Sequence, residues 1–370
     1  LVAQRAMSND HSKAIGGDTD VTPDDQVPAN LRRVDGTSQF RVAGGQLFTS
    51  PAVLAAERRI LAVAGLAGAR TIATDDVELA MLEWTANNGG RQLNPAQAQM
   101  VRDVGTTGSR VCLALAPAGT GKTTVMGVLA RAWQASGGSV FGLAPQASAA
   151  EELRNALPAV DTDTVDKLVH EIKQGDPERR PEWIDRIGAD SLVIVDEAGL
   201  ASTTNLDATI DYVTGRGGRV LLVGDDRQRA AAGAGGVLRD IDAAYGSSSL
   251  VEVMRFSDPT EGRATLAVRD GDPAAAGFYT DRGRLHTVTS DTAVATLYAA
   301  WASDVAAGRQ SLMIASTLDQ VSQLNLLARE DRLAQLPGEA HQGLEVTLPN
   351  GETVSAGDTV ITKENARHLS

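Results

Sequence analysis

One stretch limits the possible folds of this chain more than any other. It is an apolar run that ends in a glycine-rich turn with a lysine, Leu113-Ala-Leu-Ala-Pro-Ala-Gly-Thr-Gly-Lys-Thr-Thr124. Val111 to Leu115 is typical of a buried strand, and Val125 to Ala132 favours a helix. Strand, glycine turn and helix start together predict a phosphate-binding loop, and with it an α/β fold.

The residue types of this loop suit a nucleotide and Mg²⁺. Gly119 and Gly121 allow backbone N–H groups to close around phosphate oxygens, Lys122 brings a cation, and Thr123 offers a hydroxyl to the metal. The helix that begins here adds its positive N-terminal end. One departure is Ala116, where the motif has its first glycine; the simpler alternative is a glycine-rich turn with an unrelated lysine. The predicted ATP ligands in the loop are Ala118, Gly119, Thr120, Gly121, Lys122, Thr123 and Thr124.

Composition narrows the class of protein. The chain has 370 residues, 42% of them hydrophobic, and its apolar runs are shorter than a membrane span, so we expect a soluble, cytoplasmic, multidomain protein with no membrane segment. A single cysteine, Cys112, excludes a disulfide framework. The net charge of −13 argues against nucleic-acid binding through bulk charge, so any DNA contact is expected in a local groove.

Gln97, in the stretch Asn94-Pro-Ala-Gln97 ahead of the phosphate loop, has two interpretations. In the first, Asn94 and Gln97 form a capping box at the start of a helix that runs towards Val104. In the second, the Gln97 amide contacts an adenine edge, which its position upstream of a phosphate loop favours. The residues alone leave both open.

A second chemical landmark is Ser191-Leu-Val-Ile-Val-Asp-Glu-Ala198, an apolar strand with two carboxylates at its C-terminal end. Ligands of open α/β sheets bind at that end of the strands. Asp196 is therefore predicted to hold Mg²⁺, and Glu197 to take the proton of the attacking water. The alternative is a chance Asp-Glu pair after a strand.

Other segments complete the predicted sheet. Ser139 to Ala144 and Arg219 to Gly224 are typical of strands, and a helix between successive strands predicts parallel pairing. Gln228, in the polar loop after the latter strand, is a candidate sensor of the γ-phosphate, and Arg255 a candidate arginine finger. A simple polar loop and a surface ion pair are the alternatives. Thr164 is expected to cap a helix.

With these pieces in order, the chain resembles superfamily 1 DNA helicases of the RecD-like branch, and most closely the helicase (AAA ATPase) portion of MobF-type conjugative relaxases. The resemblance is carried by six motifs, namely Leu93-Asn-Pro-Ala-Gln97, Ala118-Gly-Thr-Gly-Lys-Thr-Thr124, Gly142-Leu-Ala-Pro-Gln-Ala147, Val195-Asp-Glu-Ala-Gly199, Val223-Gly-Asp-Asp-Arg-Gln228 and Glu252-Val-Met-Arg255. It extends upstream to Thr49-Ser-Pro51 and downstream to Asp272.

The resemblance implies roles for individual residues. It implies that Gln97 contacts adenine, that Gln228 couples hydrolysis to movement and that Arg255 is the arginine finger. Arg229 departs from the leucine that is usual after the glutamine. Residues expected along single-stranded DNA are Thr164 and the segment 145–149, which includes Pro145, Gln146 and Ala147.

The predicted fold is a P-loop NTPase with a RecA-like parallel sheet and flanking helices. We expect a loosely ordered segment over 1–48, a small helical domain over 49–92 and the first RecA-like domain over 93–256. The start of a second RecA-like domain is expected over 257–342, with a strand at 311–315 and a helix from Thr317 to about Leu336. A β hairpin turning at Asn350-Gly351 is expected within 343–370.

These observations favour an ATP-dependent helicase or translocase acting on single-stranded DNA. The relaxase domain is expected upstream of this segment and the remaining helicase motifs downstream, so the chain alone is not expected to unwind a duplex. The five histidines are scattered singly and predict no metal-binding triad. An RNA or DNA-repair helicase of the same superfamily, and a nucleotide- or DNA-binding module without motor activity, remain alternatives.

Overall fold

A computed structural model of the chain describes residues 13–16, 28, 47–176, 178–225, 227, 236–335, 345–348 and 351–360. The fold divides into two compact units, Leu1–Ala275 and Ala276–Ser370. Residues 49–92 and 93–256, predicted as two separate domains, lie together in the first unit. The predicted domain boundaries themselves stay a prediction.

The first unit is built on a six-stranded parallel sheet. Two short antiparallel strands, β1 (Lys13–Gly16) and β2 (Leu47–Thr49), precede this sheet. Its strands are β3 (Val111–Leu115), β4 (Ser139–Ala144), β5 (Asp161–Thr164), β6 (Ser191–Val195), β7 (Arg219–Gly224) and β8 (Ser248–Ser249). Of these, β3, β4, β6 and β7 are the predicted apolar runs, while the polar strands β5 and β8 were not predicted. Their order in space is β5-β4-β6-β7-β3-β8, and every neighbouring pair is parallel. This confirms the predicted RecA-like sheet.

Helices cover both faces of this sheet. They are α1 (Pro51–Ala64), α2 (Thr74–Asn87), α3 (Pro95–Thr106), α4 (Lys122–Ala135), α5 (Ala147–Ala156), α6 (Val165–Lys173), α7 (Glu182–Asp185), α8 (Thr203–Gly215), α9 (Val237–Tyr245) and α10 (Pro259–Arg269). A short 3₁₀ turn, Ala198–Leu200, follows β6. The two helices of residues 49–92 contribute to different cores: Val77 and Met81 of α2 join the core around α4, whereas Ile60 of α1 joins the opposite one.

Burial on both faces explains why the central strands are continuous apolar runs. Strands β3, β6 and β7 are buried at every position, since each lies inside the sheet with helices above and below. The helices begin where capping residues predict. Ser50, which precedes Pro51, accepts a hydrogen bond from the Val53 amide, and Thr164 accepts one from the Lys167 amide. Because all six strands are parallel, their C-terminal ends and the loops that follow meet at one edge.

The second unit contains helices and a hairpin in its described part. The helix α11 (Ala275–Asp281) lies at the boundary, followed by α12 (Ala293–Ala306) and α13 (Leu318–Ala334). The strands β9 (Val346–Thr347) and β10 (Thr353–Val354) pair antiparallel, and the Leu348 amide donates to the Glu352 carbonyl at 2.7 Å. Gly351 has φ +86°, as the turn requires, while Asn350 lies outside the described residues.

The prediction of a strand at 311–315 is wrong, because the structure has no strand there. Among the described residues no strand pairs with this segment, and Leu312 and Ile314 are 82% and 78% exposed. The apolar run has the composition of a strand, but a strand forms only where a neighbour supplies its hydrogen bonds. The helix predicted after it is confirmed, with Thr317 as its cap.

Candidate nucleotide site

The phosphate loop lies between the end of β3 and the start of α4, as predicted. Gly119 and Gly121 have φ values of +83° and +88°, a region that favours glycine. Neither position has room for a side chain: a Cβ on Gly119 would lie 2.8 Å from Arg255 Cβ, and one on Gly121 would overlap the Gln97 amide nitrogen. The Thr120 hydroxyl donates to the Pro117 carbonyl at 2.8 Å and is fully buried. Both the backbone and its neighbours therefore require these glycines.

Gln97 supports the loop and caps a helix at the same time. The Asn94 amide donates to Gln97 Oε1 at 3.0 Å and the Gln97 amide donates to Asn94 Oδ1 at 2.8 Å, which is the predicted capping box. Gln97 Nε2 also donates to the Thr120 carbonyl at 2.9 Å. The side chain is buried against the phosphate loop, so the capping interpretation is confirmed. An adenine contact stays a prediction.

The two carboxylates after β6 converge on the lysine of the phosphate loop. Lys122 Nζ forms an ion pair with Glu197 Oε1 and lies 3.2 Å from Asp196 Oδ1. All three side chains are largely buried, with 16%, 14% and 28% of Lys122, Asp196 and Glu197 exposed. The structure thus brings together three predicted site residues that are far apart in sequence.

Electrostatics keep Lys122 charged within this cluster. Burial lowers the pKa of the Lys122 amine, but Asp196 and Glu197 raise it by more, so the net pKa shift is upward. Burial raises the pKa of Asp196, and the neighbouring charge of Glu197 adds to this, while Lys122 opposes both. Lys122 is therefore a firmly protonated cation at neutral pH.

Glu197 is the one described non-glycine residue with positive φ, at 50°. Its amide donates to Asp196 Oδ1 at 2.9 Å, and its carbonyl accepts from Leu200 in the 3₁₀ turn. A left-handed conformation costs a residue with a side chain about 1–2 kcal/mol. The fold sustains this cost at the position that aims the Glu197 carboxylate at Lys122. Nothing in the strand pattern predicts it.

The donor set at this edge fits a magnesium ion beside a bound triphosphate. Thr123 lies exposed in the first turn of α4, and Asp196 is the buried carboxylate at the end of β6. Mg²⁺ takes oxygen ligands and is commonly held by one or two carboxylates together with substrate phosphates and water. A cluster of three or more metal-ligating side chains is absent from the described residues, so the phosphates and water would complete the coordination.

Arg255 lies against the phosphate loop of its own unit. The segment that carries it runs beside the loop, where the Leu250 amide donates to the Leu115 carbonyl at 2.8 Å and the Met254 amide to the Gly119 carbonyl at 2.7 Å. These backbone contacts, together with the missing Cβ of Gly119, place Arg255 beside the predicted phosphate site. Its role as an arginine finger stays a prediction.

The loop after β7 is held by a contact that the sequence did not reveal. Asp225 is buried and accepts hydrogen bonds from Arg269 of α10. The pKa of Asp225 is raised by burial, but Arg269 and the Arg227 amide lower it by more, so the net pKa shift is downward. The partners are 44 residues apart, and no local signal joins them. Gln228, predicted in this loop, lies outside the described residues.

The predicted DNA contacts lie at the same edge of the sheet, beyond β6. Pro145, Gln146 and Ala147 follow β4, and Thr164 ends β5, which pairs with β4 so that Ala144 and Thr164 are register partners. Gln146 and Ala147 are exposed. The structure thus places these residues side by side, and their contact with DNA stays a prediction.

An apolar groove of about 260 Å³ runs along α4, lined by Trp84, Gly127, Leu157 and Val160, with Thr123 and Thr124 at one end. Among the described residues that line it, Arg131 alone is charged. Phosphates bind where backbone amides and a cation are available, so the predicted nucleotide site lies on the loop side of α4, with Lys122, and not in this groove.

Comparison with known proteins agrees with this geometry. A family model described as an AAA domain matches residues 92–290, more than half of the chain. The conjugal transfer protein TraA of Agrobacterium fabrum (strain C58) is 26% identical over 295 residues, which cover 79% of this chain and 26% of TraA. A TraA of Rhizobium radiobacter is 26% identical over 264 residues, covering 70% of this chain and 23% of that protein. The chain spans about a quarter of the length of these curated relatives.

The crystal structure of the Pif1 helicase from Candida albicans is similar at a TM-score of 0.43 and 16% identity, over 67% of this chain and 56% of that one. The TraA matches agree with the resemblance to conjugative relaxases that the motifs indicate. No described helix is long and apolar enough to cross a membrane. With a P-loop between β3 and α4, two carboxylates after β6 and a family match over most of the first unit, the chain belongs to the AAA domain family.

Proposed function

We propose that this chain is the ATP-hydrolysing motor segment of a DNA helicase in a conjugation protein. The observation that carries the proposal is the contact of Lys122 with Asp196 and Glu197. This contact lies beside a loop whose positions 119 and 121 accommodate only glycine. Cation, metal-binding carboxylate and base are the three groups that phosphoryl transfer to water needs at one place. The name of the TraA relatives supports a place in conjugal transfer.

Lys122 links nucleotide binding to the release of Glu197. With its ammonium group paired to Glu197, the lysine neutralises the carboxylate that would act as base. An incoming γ-phosphate competes for the same ammonium group, and its stronger charge draws Lys122 away. Glu197 is then free to accept the proton of the attacking water.

The remaining residues orient and shield the phosphates. The loop amides and the N-terminus of α4 bind their oxygens. Thr123 and Asp196 would hold Mg²⁺, which supplies Lewis-acid stabilisation of the developing charge when bound. Arg255, fixed to the loop through the Met254 amide, is the nearby cation for the γ-phosphate.

Single-stranded DNA is proposed to lie across the C-terminal ends of β4 and β5, where Gln146 and Ala147 are exposed. Gln146, Ala147 and Thr164 offer amide, apolar and hydroxyl groups with no charge. Such a surface suits hydrogen bonding and apolar contact more than phosphate pairing, in accord with the net charge of −13. Gln228 is proposed to connect this surface with the nucleotide.

The test is the rate of phosphate release with and without single-stranded oligonucleotides of DNA and of RNA. We expect stimulation by DNA, and a loss of turnover of ~10²-fold or more in Glu197→Gln with ATP binding kept, because a general base is removed without loss of a phosphate ligand. Glu178→Gln, at an exposed position, is the matched control. Stimulation by RNA alone would favour an RNA helicase, and binding without stimulated turnover would favour a non-motor module.

A further inference from the structure

Asp225 lies at the centre of the sheet edge that carries the candidate nucleotide site, and the proposed chemistry gives it no role. It directly follows β7, which lies between β3 and β6 in the sheet. Those two neighbours end in the phosphate loop and in Asp196-Glu197, respectively. A third carboxylate is therefore placed where the phosphates of a nucleotide are proposed to bind, and only 4% of its side chain is exposed.

A fork-shaped contact from α10 covers this carboxylate. Arg269 Nε lies 3.0 Å from Asp225 Oδ1 and 3.1 Å from Oδ2, and Arg269 Nη2 lies 2.5 Å from Oδ1. The Arg227 amide donates to Oδ1 at 3.0 Å. Planar two-point pairing of this kind fixes orientation as well as charge.

The charge of Lys122 is felt at Asp225. The positive charge of Lys122 contributes to the lowered pKa of Asp225, after burial, Arg269 and the Arg227 amide. Lys122 already faces two carboxylates, Asp196 and Glu197. Without Arg269, a third carboxylate would lie at this edge without a cation of its own, and its negative charge would repel the phosphates.

We propose that Arg269 is a positioning residue for the nucleotide site, which holds Asp225 as a neutral pair beside Lys122 and so keeps an unpaired carboxylate from opposing ATP. The inference rests on the proposed ATP site and identifies Arg269 as the residue that neutralises the negative charge of Asp225 beside that site. Arg269 of α10 contacts the residue that follows β7, whereas Arg255 lies beside Gly119 of the phosphate loop.

A purely structural ion pair is the competing explanation, and a charge-balanced pair of substitutions separates the two. Arg269→Gln leaves Asp225 charged and unpaired beside Lys122. Adding Asp225→Asn removes that charge and leaves an amide of nearly the same shape as the carboxylate. Arg269→Lys keeps the positive charge but not the fork. Arg263→Gln, at an exposed position of the same helix, is the matched control.

The experiment is titration of each variant with Mg²⁺-ATP and with Mg²⁺-ADP, beside thermal unfolding. We expect Arg269→Gln to weaken ATP binding roughly tenfold, the scale of one uncompensated charge a few ångströms from the ligand, and to weaken ADP binding less. The double variant should bind ATP within about threefold of the parent chain, Arg269→Lys should bind more tightly than Arg269→Gln, and Arg263→Gln should match the parent.

Three results would overturn the inference. Arg269→Gln could bind ATP like the parent, the double variant could stay tenfold weaker, or ATP and ADP could be weakened equally; each points to a structural role alone. If Arg269→Gln does not fold, the affinity of the double variant decides by itself. Failure of the parent chain to bind ATP would instead overturn the proposed function, and this inference with it.

Discussion

Lys122 is the cation that both carboxylates of the candidate site contact. It balances Asp196 and Glu197, and its charge reaches Asp225. The sequence predicts Lys122, Asp196 and Glu197 individually, because each follows an apolar strand in a recognisable pattern. It does not predict the left-handed backbone of Glu197 or the Arg269 contact, since both depend on how distant segments meet.

Acid should remove the stabilisation that Asp225 provides. Its folded-state pKa lies below the ordinary aspartate value of 3.8, so its contribution is fully present above that pH and is lost as pH falls through the depressed folded value. Asp225→Asn cannot titrate. We therefore expect the difference in free energy of unfolding between the parent chain and Asp225→Asn to be constant from pH 7 to about pH 5 and to shrink below about pH 4.

Urea unfolding at a series of pH values measures this difference, with Asp211→Asn at an exposed position of α8 as the matched control. A gap between parent and Asp225→Asn that stays the same down to acid pH would show that Asp225 titrates alike in the folded and unfolded chain. The pairing with Arg269 would then have no energetic effect on this carboxylate.

Strands and helix starts in this protein follow closely from local sequence. The central strands are long apolar runs because they are buried on both faces, and the helices at Pro51, Pro95 and Val165 begin at side-chain caps. The expected strand at 311–315 failed for a complementary reason: its pairing partner is not a local property. Apolar length and capping residues therefore predict where an element can form, whereas local sequence does not reveal whether a strand finds a pairing partner.

Substitutions in the turn between β3 and α4 test whether the phosphate loop has the described backbone conformation. Gly121→Ala should destabilise the chain by about 1–2 kcal/mol through its φ of +88°, with an added cost from overlap with Gln97. Its ATP affinity should fall as well, because the loop amides are displaced. Gly127→Ala, in the interior of α4, should instead stabilise by about 0.5–1 kcal/mol.

Thermal unfolding and ATP titration of both glycine variants, and of Gly121→Ala combined with Gln97→Ala, test this assignment. Removing the Gln97 side chain relieves the overlap but leaves the backbone conformation unchanged. Measured against Gln97→Ala alone, Gly121→Ala should therefore cost less than it does in the parent chain, but still about 1–2 kcal/mol. A Gly121→Ala protein as stable as the parent would mean that the loop does not adopt this conformation in solution.

The chain as a whole is acidic, at −13, yet is proposed to contact DNA. The proposed DNA-binding residues of β4 and β5 carry no charge, so few phosphate contacts are expected. A plot of the logarithm of the single-strand binding constant against the logarithm of salt concentration has a slope of about −0.7 for each phosphate contact. We expect a shallow slope in fluorescence anisotropy titrations with an oligonucleotide. A slope equivalent to about ten contacts would require a basic surface elsewhere on the chain.

The account depends most on the claim that ATP binds where Lys122 meets Asp196 and Glu197. Calorimetric titration with Mg²⁺-ATP of the parent chain, Lys122→Ala and the exposed control Lys173→Ala tests it directly. The parent and Lys173→Ala should bind ATP alike, whereas Lys122→Ala should lose most of its affinity, because the cation that reaches the phosphates is gone. Equal affinity in all three proteins would contradict the assignment of the site.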